Sequence, residues 1–207
     1  MAKISTDRIL TGILRSVLPS SLLWKVDTAE RKVFITFDDG PTPQLTTEIL
    51  AILESYHARA TFFCVGDNVV RYPDIFRQII QSGHSVGNHS HHHLKGWYTS
   101  CSQYLEDVSQ ASKFLDSKLY RPPYGLITFR QVRELSKQFQ VVMWSVLTRD
   151  FDPSVSREKC LEIAIRGIEP GAIIVFHDNL KASEKMLYAL PRMLEYLREE
   201  GYVTEKL

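Results

Sequence analysis

The chain is short of several features that would narrow its chemistry quickly. It has only three cysteines in 207 residues, Cys64, Cys101 and Cys160, and no C-x-x-C pair. An odd number at wide spacing argues against a disulfide framework or a thiolate zinc site, so buried, reduced thiols are expected. Neither sign of charge is in excess: 25 Lys+Arg meet 24 Asp+Glu, a formal net charge of +1. Proteins that grip phosphate backbones need a clear basic surplus, so nucleic acid is excluded as the main partner. No apolar run approaches the ~18 residues of a membrane-spanning helix. Repeats and low-complexity linkers are lacking too. Apolar residues at 44% and charged residues at 24% describe an ordinary globular protein. The length fits one domain better than two. Against this plain background one residue type is unevenly spread: of seven histidines, five fall between His84 and His93.

The first residues stand apart. Leu10, Ile13, Leu14, Val17 and Leu18 recur at helical spacing, and Pro19 stops the run. Asp7, Thr11, Gly12 and Arg15 interrupt what a secretory signal would keep apolar, so none is expected. A cytoplasmic or membrane-associated location follows as the expectation. Lys3, Arg8 and Arg15 would suit peripheral contact with anionic lipid. The plainer expectation is an amphipathic helix covering one end of the domain. The division expected is an N-terminal helical extension over 1–28 and a catalytic domain over 29–207.

From Lys32 onward, strand and helix patterns alternate. Strands are expected at Val33–Phe37, Ala60–Val65, Ser85–Gly87, Leu119–Tyr120, Val141–Val146, Ala172–Phe176 and Tyr202–Glu205. Helices are expected at Thr46–Tyr56, between Pro73 and Gly83, and over Ser100–Lys118, Phe129–Phe139, Ser156–Ile168 and Lys185–Glu200. About seven parallel strands alternating with helices imply an α/β sheet, open or closed into a barrel. The unusual residues all fall just past the C-terminal ends of strands. Asp38 and Asp39 follow the first, His89 to His93 the third, Arg121 the fourth, Asp150 the fifth and His177 the sixth. In α/β folds that is the face on which active sites are built.

The chemistry of these residues is complementary. His89 and His93, four apart, would share one side of a helical turn and clamp a divalent ion, with Asp38 or Asp39 as carboxylate ligand. His91 and His92 would point elsewhere. Adjacent carboxylates on extended chain point in opposite directions, so one can face the ion and the other an attacking water. His177 suits protonation of a leaving amine. Arg121 would orient one aspartate through a two-pronged hydrogen bond.

Three stretches carry a resemblance. Thr36-Phe37-Asp38-Asp39-Gly40-Pro41, His89-Ser90-His91-His92-His93 and Arg121-Pro122-Pro123-Tyr124-Gly125 resemble the polysaccharide deacetylases, the NodB homology domain or carbohydrate esterase family four. The resemblance runs from about Lys32 to the C-terminus. It implies a distorted (β/α) barrel and metal-dependent hydrolysis of an N-acyl amide, usually on glycans containing N-acetylglucosamine. By the same resemblance Asp38 is the general base, and Asp39, His89 and His93 are the metal ligands. Arg121 orients the base, the backbone N–H of Tyr124 stabilises the oxyanion, and His177 is the general acid. Asp150 supports His177, and Trp144 walls the acyl pocket. Ser145 and Phe151 stand where the family commonly has Asp and Trp. Zinc is the expected ion, with cobalt or another divalent ion as the alternative.

The substrate implied is an N-acetylated amino sugar in peptidoglycan or a chitin-like oligosaccharide. Trp97, Tyr98 and Phe151, near the expected mouth, would either stack on sugar faces or serve as packing residues. Two rival readings accompany this one: a deformylase or amidohydrolase acting on a lipid-linked sugar or small amide, and a glycan-binding pseudoenzyme.

Overall fold

The computed structural model describes residues 21–207. The amphipathic helix expected near the start lies outside them. The rest of the expected extension is not helical, since Leu22–Leu23 forms a strand, β1. Then follow β2 (Lys32–Asp38), α1 (Leu45–Ser55), β3 (Ala60–Cys64), α2 (Gly66–Arg71), α3 (Pro73–Gln81) and β4 (Ser85–Asn88). The chain continues through α4 (Cys101–Ala111), β5 (Leu119–Tyr120), α5 (Phe129–Leu135), β6 (Gln140–Val142) and β7 (Val146–Leu147). It ends with α6 (Arg157–Arg166), β8 (Ile173–His177), α7 (Ser183–Glu199) and β9 (Val203–Thr204). Serine or threonine side chains cap α4, α5 and α6, and Thr128 and Gln131 close a capping box on α5. Among the described residues no helix is long and apolar enough to cross a membrane.

The strands are parallel and run β1-β6-β5-β4-β3-β2-β8-β7, with β9 added beside β2. This is the distorted α/β barrel expected, with nine strands among the described residues where about seven were expected. One of the additional strands is β1. The other arises because the single strand expected over Val141–Val146 divides into β6 and β7. The division has a cause: the carbonyls of Val142 and Met143 accept hydrogen bonds from the Arg121 guanidinium inside the barrel. The first half of the stretch pairs with β5 and β1, and the second half pairs with β8. The expected helix over Ser100–Lys118 is shorter as well, ending at Ala111. Asn88 reaches into its last turn and donates to the Val108 carbonyl and to Ser112 Oγ.

Alternation along the central strands sets the site. Val33, Ile35 and Phe37 of β2, Ala60, Phe62 and Cys64 of β3, and Ile174 and Phe176 of β8 face the helices in the main core. Phe37 stacks between Phe62 and Phe176, at 4.9 and 6.1 Å. Burying each such ring contributes about 1.5–3 kcal/mol. The opposite parity faces the barrel interior, where Phe34, Phe63, Val142 and Ile173 form a small core of their own. Thr36 and Asp38 continue the Phe34 parity, and His177 continues that of Ile173. Asp38 and His177 are therefore paired in register, at adjacent strand ends.

Candidate active site

The two aspartates part at the end of β2. Asp38 is its last residue and is buried, whereas Asp39 adopts φ 83° before the cis Gly40–Pro41 bond. That left-handed residue turns the second carboxylate away from the barrel axis. Asp38 Oδ1 accepts from Arg121 Nη1 at 2.7 Å. Arg121 is fully buried, its guanidinium 4.1 Å above the Phe63 ring. Its remaining donors go to Thr36 Oγ1 at 2.7 Å, the Met143 carbonyl at 2.9 Å and the Val142 carbonyl at 3.4 Å. The expected two-pronged grip on aspartate is therefore a single bond. The guanidinium has more buried acceptors around it than one carboxylate offers, and a buried cation must satisfy its whole fork.

Asp39 meets the histidines. Its Oδ1 lies 3.0 Å from His93 Nε2 and 3.5 Å from His89 Nε2, and the two Nε2 atoms are 3.3 Å apart. The histidines do not share a helical turn as expected. Ser90 and His93 take φ of 62° and 57°, and the segment after β4 is an irregular loop that folds the two rings together. His89 Nδ1 donates to the Arg121 carbonyl at 2.8 Å, which leaves Nε2 as a lone pair aimed at Asp39 and His93. Two imidazole nitrogens at such a distance repel unless a cation or proton sits between them. Burial would raise the Asp39 pKa, but the neighbouring His89 and His93 rings hold it well below the usual carboxylate range. Asn179 Nδ2 donates to Asp39 Oδ2 at 2.6 Å, and Asn68 Nδ2 donates to the Asp39 carbonyl at 2.8 Å. One carboxylate with two neutral imidazoles is a donor set suited to a catalytic divalent ion.

Asp150 and His177 form a second pair. Asp150 is fully buried, and its Oδ1 accepts from His177 Nδ1 at 2.7 Å. Its Oδ2 accepts the His177 backbone N–H, also at 2.7 Å, so both ring and main chain are held. Burial alone would lower the His177 pKa. The charges of Asp150, Asp39 and Asp38 outweigh it and raise the value to about 9. Phe151 packs edge-on against the ring at 4.8 Å.

Tyr124 stands across the mouth, half exposed, at φ 59°. Its hydroxyl lies 3.1 Å from His93 Nδ1, and Lys95 Nζ sits 4.9 Å over its ring. Trp144 is partly buried beside it, and a Cβ on the following Gly125 would lie 2.6 Å from its ring. Gly125 also has φ 68°, so both space and backbone require glycine there. Trp97 and Tyr98 are strongly exposed on a short turn, and the Trp97 indole donates to the Ile127 carbonyl. His91 and His92 take no part in the group formed by Asp39, His89 and His93. His91 is buried near Phe114, and His92 Nδ1 bonds Asp107.

Sequence reasoning missed Asn179, Asn68, Thr36 and Asp107. Asn179 carried the same signal as the others, a polar residue just past a strand end. Asp107 was visible as a carboxylate inside the apolar stripe of Tyr104, Val108 and Ala111.

The family model described as polysaccharide deacetylase matches residues 25–144. A peptidoglycan-N-acetylglucosamine deacetylase of Bacillus cereus is 32% identical over 188 residues, covering 86% of this chain and 87% of that protein. A chitooligosaccharide deacetylase of Bradyrhizobium sp. is 32% identical over 164 residues, covering 75% of this chain and 74% of the relative. Among solved structures, the Bc1960 peptidoglycan N-acetylglucosamine deacetylase superposes with a TM-score of 0.86 at 25% identity, covering 99% of this chain and 95% of that one. The chain belongs to the polysaccharide deacetylase family, the NodB homology or carbohydrate esterase family four hydrolases of non-peptide C–N bonds.

Proposed function

We propose that this chain is a metal-dependent N-deacetylase that removes the acetyl group from an N-acetylglucosamine-type residue of peptidoglycan or a chitin-like oligosaccharide. The observation that carries this reading is the convergence of Asp39, His89 and His93 with two further units, Asp38 on Arg121 and His177 on Asp150. The substrate class is supported by the relatives, which are named for peptidoglycan and chitooligosaccharide deacetylation.

Asp39, His89 and His93 would hold the ion, zinc foremost and cobalt as an alternative. A divalent ion held there supplies Lewis acidity, polarising a carbonyl and making water a better nucleophile near neutral pH. Asp38, oriented by Arg121, takes a proton from the water that attacks the amide carbonyl. The backbone N–H of Tyr124 donates to the oxygen that gains charge, and donors aimed at such an oxygen are often the largest single catalytic contribution. His177, its Nδ1 engaged by Asp150, gives a proton from Nε2 to the departing nitrogen. The C–N bond breaks, leaving acetate and a free amine. Trp144 walls the space for the acetyl methyl. The test is release of acetate and amine from N-acetylated chito-oligosaccharides and peptidoglycan fragments, beside N-formyl and cyclic amides, by zinc- or cobalt-loaded protein. Turnover confined to the N-formyl or cyclic amides would overturn the reading.

A further inference from the structure

The loop that carries His89 and His93 is not held by regular structure. Two of its residues, Ser90 and His93, keep left-handed backbone angles that non-glycine residues retain only where their surroundings over-determine them. On one side its carbonyls are held by α2, since Gly66 N–H donates to Ser90 at 2.9 Å and Asp67 N–H to His91 at 3.1 Å. On the other side a single carboxylate from α4 takes two of its amides, while the Ser90 N–H goes to Asn88 Oδ1. Asp107 is 4% exposed, and its Oδ2 accepts the N–H groups of His91 at 2.9 Å and His92 at 3.1 Å. Its Oδ1 meets His92 Nδ1 at 2.5 Å. Helix α4 has no use of its own for a carboxylate on its apolar stripe, where burial penalises charge. The three donors that compensate it all come from the two residues midway between His89 and His93.

We propose that Asp107 is a positioning residue for the metal centre: its carboxylate fixes the His91 and His92 amides so that the rings on either side converge on Asp39. The inference rests on the reading of Asp39, His89 and His93 as metal ligands. Asp107 touches neither ion nor substrate and acts through the loop alone.

The experiment measures Zn²⁺ affinity by chelator competition and the visible absorption of the Co²⁺-loaded protein. Asp107→Ala should bind Zn²⁺ about 10–100-fold more weakly, the usual effect of losing a group that orients metal ligands. Asp107→Asn, which keeps one carbonyl acceptor, should fall between Asp107→Ala and wild type and carries the test if the alanine variant does not fold. Both should alter the Co²⁺ spectrum, and turnover lost at limiting metal should return at saturating metal. His92→Ala removes the imidazole but leaves both amides on Asp107, so its affinity should change by less than about threefold. Wild-type affinity and spectrum in both Asp107 variants would overturn the proposal, as would a loss in His92→Ala equal to that in Asp107→Ala. His89→Ala and His93→Ala run alongside. Undiminished Zn²⁺ binding in those two would instead bring down the metal-site reading, and the proposal with it.

Discussion

The two ends of β4 treat histidine in opposite ways. His84, before the strand, is buried at the N-terminal face of the barrel, with its ring tilted over Phe62 and its Nδ1 accepting the Ala60 N–H at 3.3 Å. Burial, helped by the charges of Arg59 and Lys206, lowers its pKa to about 4, so it packs as a neutral ring. At the other end, four residues of strand later, His89 and His93 face Asp39, and His92 faces Asp107. The difference is one of partners rather than residue type. At one end cations and apolar rings surround the imidazole, and at the other end carboxylates do. In parallel α/β barrels the C-terminal face carries the chemistry and the N-terminal face carries stability.

Four perturbations should sharpen that contrast. The largest effect is expected from His89→Ala or Asp39→Ala, which should abolish tight Zn²⁺ binding and turnover together, read by metal content and acetate release. Next, Asp38→Asn and His177→Ala should each lower kcat by about 10²–10⁴-fold, the usual yield of a general base or acid, while metal content stays near one ion per chain. Near-wild-type rates in either variant would remove the role assigned to it. Third, Asn179→Ala frees Asp39 Oδ2 and should weaken metal binding by about 10–100-fold without emptying the site at saturation.

The smallest effect belongs to the opposite end and concerns stability alone. The folded-state pKa of His84, about 4, lies below that of the unfolded chain, so the unfolded chain takes up the proton first as pH falls. The contribution of this residue is whole above about pH 6.5 and is lost as pH falls toward 4. Between pH 7 and pH 4.5, wild type should lose about 2 kcal/mol more of unfolding free energy than His84→Asn does, measured by urea denaturation. Equal losses would show that His84 does not titrate as a buried neutral ring.

How far these features were legible can be followed residue by residue. The strand ends were readable because apolar runs such as Val33–Phe37 and Ala60–Val65 stop at turn signals. Polar residues just past such stops are unusual enough to stand out. Which of Asp38 and Asp39 lies on the barrel axis was not legible in the strand pattern, because both faces of β2 are buried; the structure shows that Asp38 continues the parity of Phe34 and Thr36. The conformation of the His89–His93 loop was not legible either. The four-residue spacing suggests a helical turn, but the loop is held by Asp107 and by α2, both distant in sequence. The single bond from Arg121 to Asp38 was equally hidden, because the acceptors that divert the other donors are Thr36 on β2 and the Val142 and Met143 carbonyls where the expected strand divides.

By itself, then, the chain's order of residues determined the alternating α/β architecture, the face that would carry polar residues, and the types of group available there. Those follow from local periodicity and from chemistry that each side chain brings with it. Only the tertiary structure decided which groups touch. Asp39 with Asn179, His89 with the Arg121 carbonyl, and His177 with Asp150 are separated by many residues, and their pairing depends on parallel strands meeting in register. The same packing decided which two of the five clustered histidines, His84 and His91, pack against aromatic rings and which three face a carboxylate. A buried imidazole takes its role from its neighbours, and those neighbours are assembled only when the barrel closes.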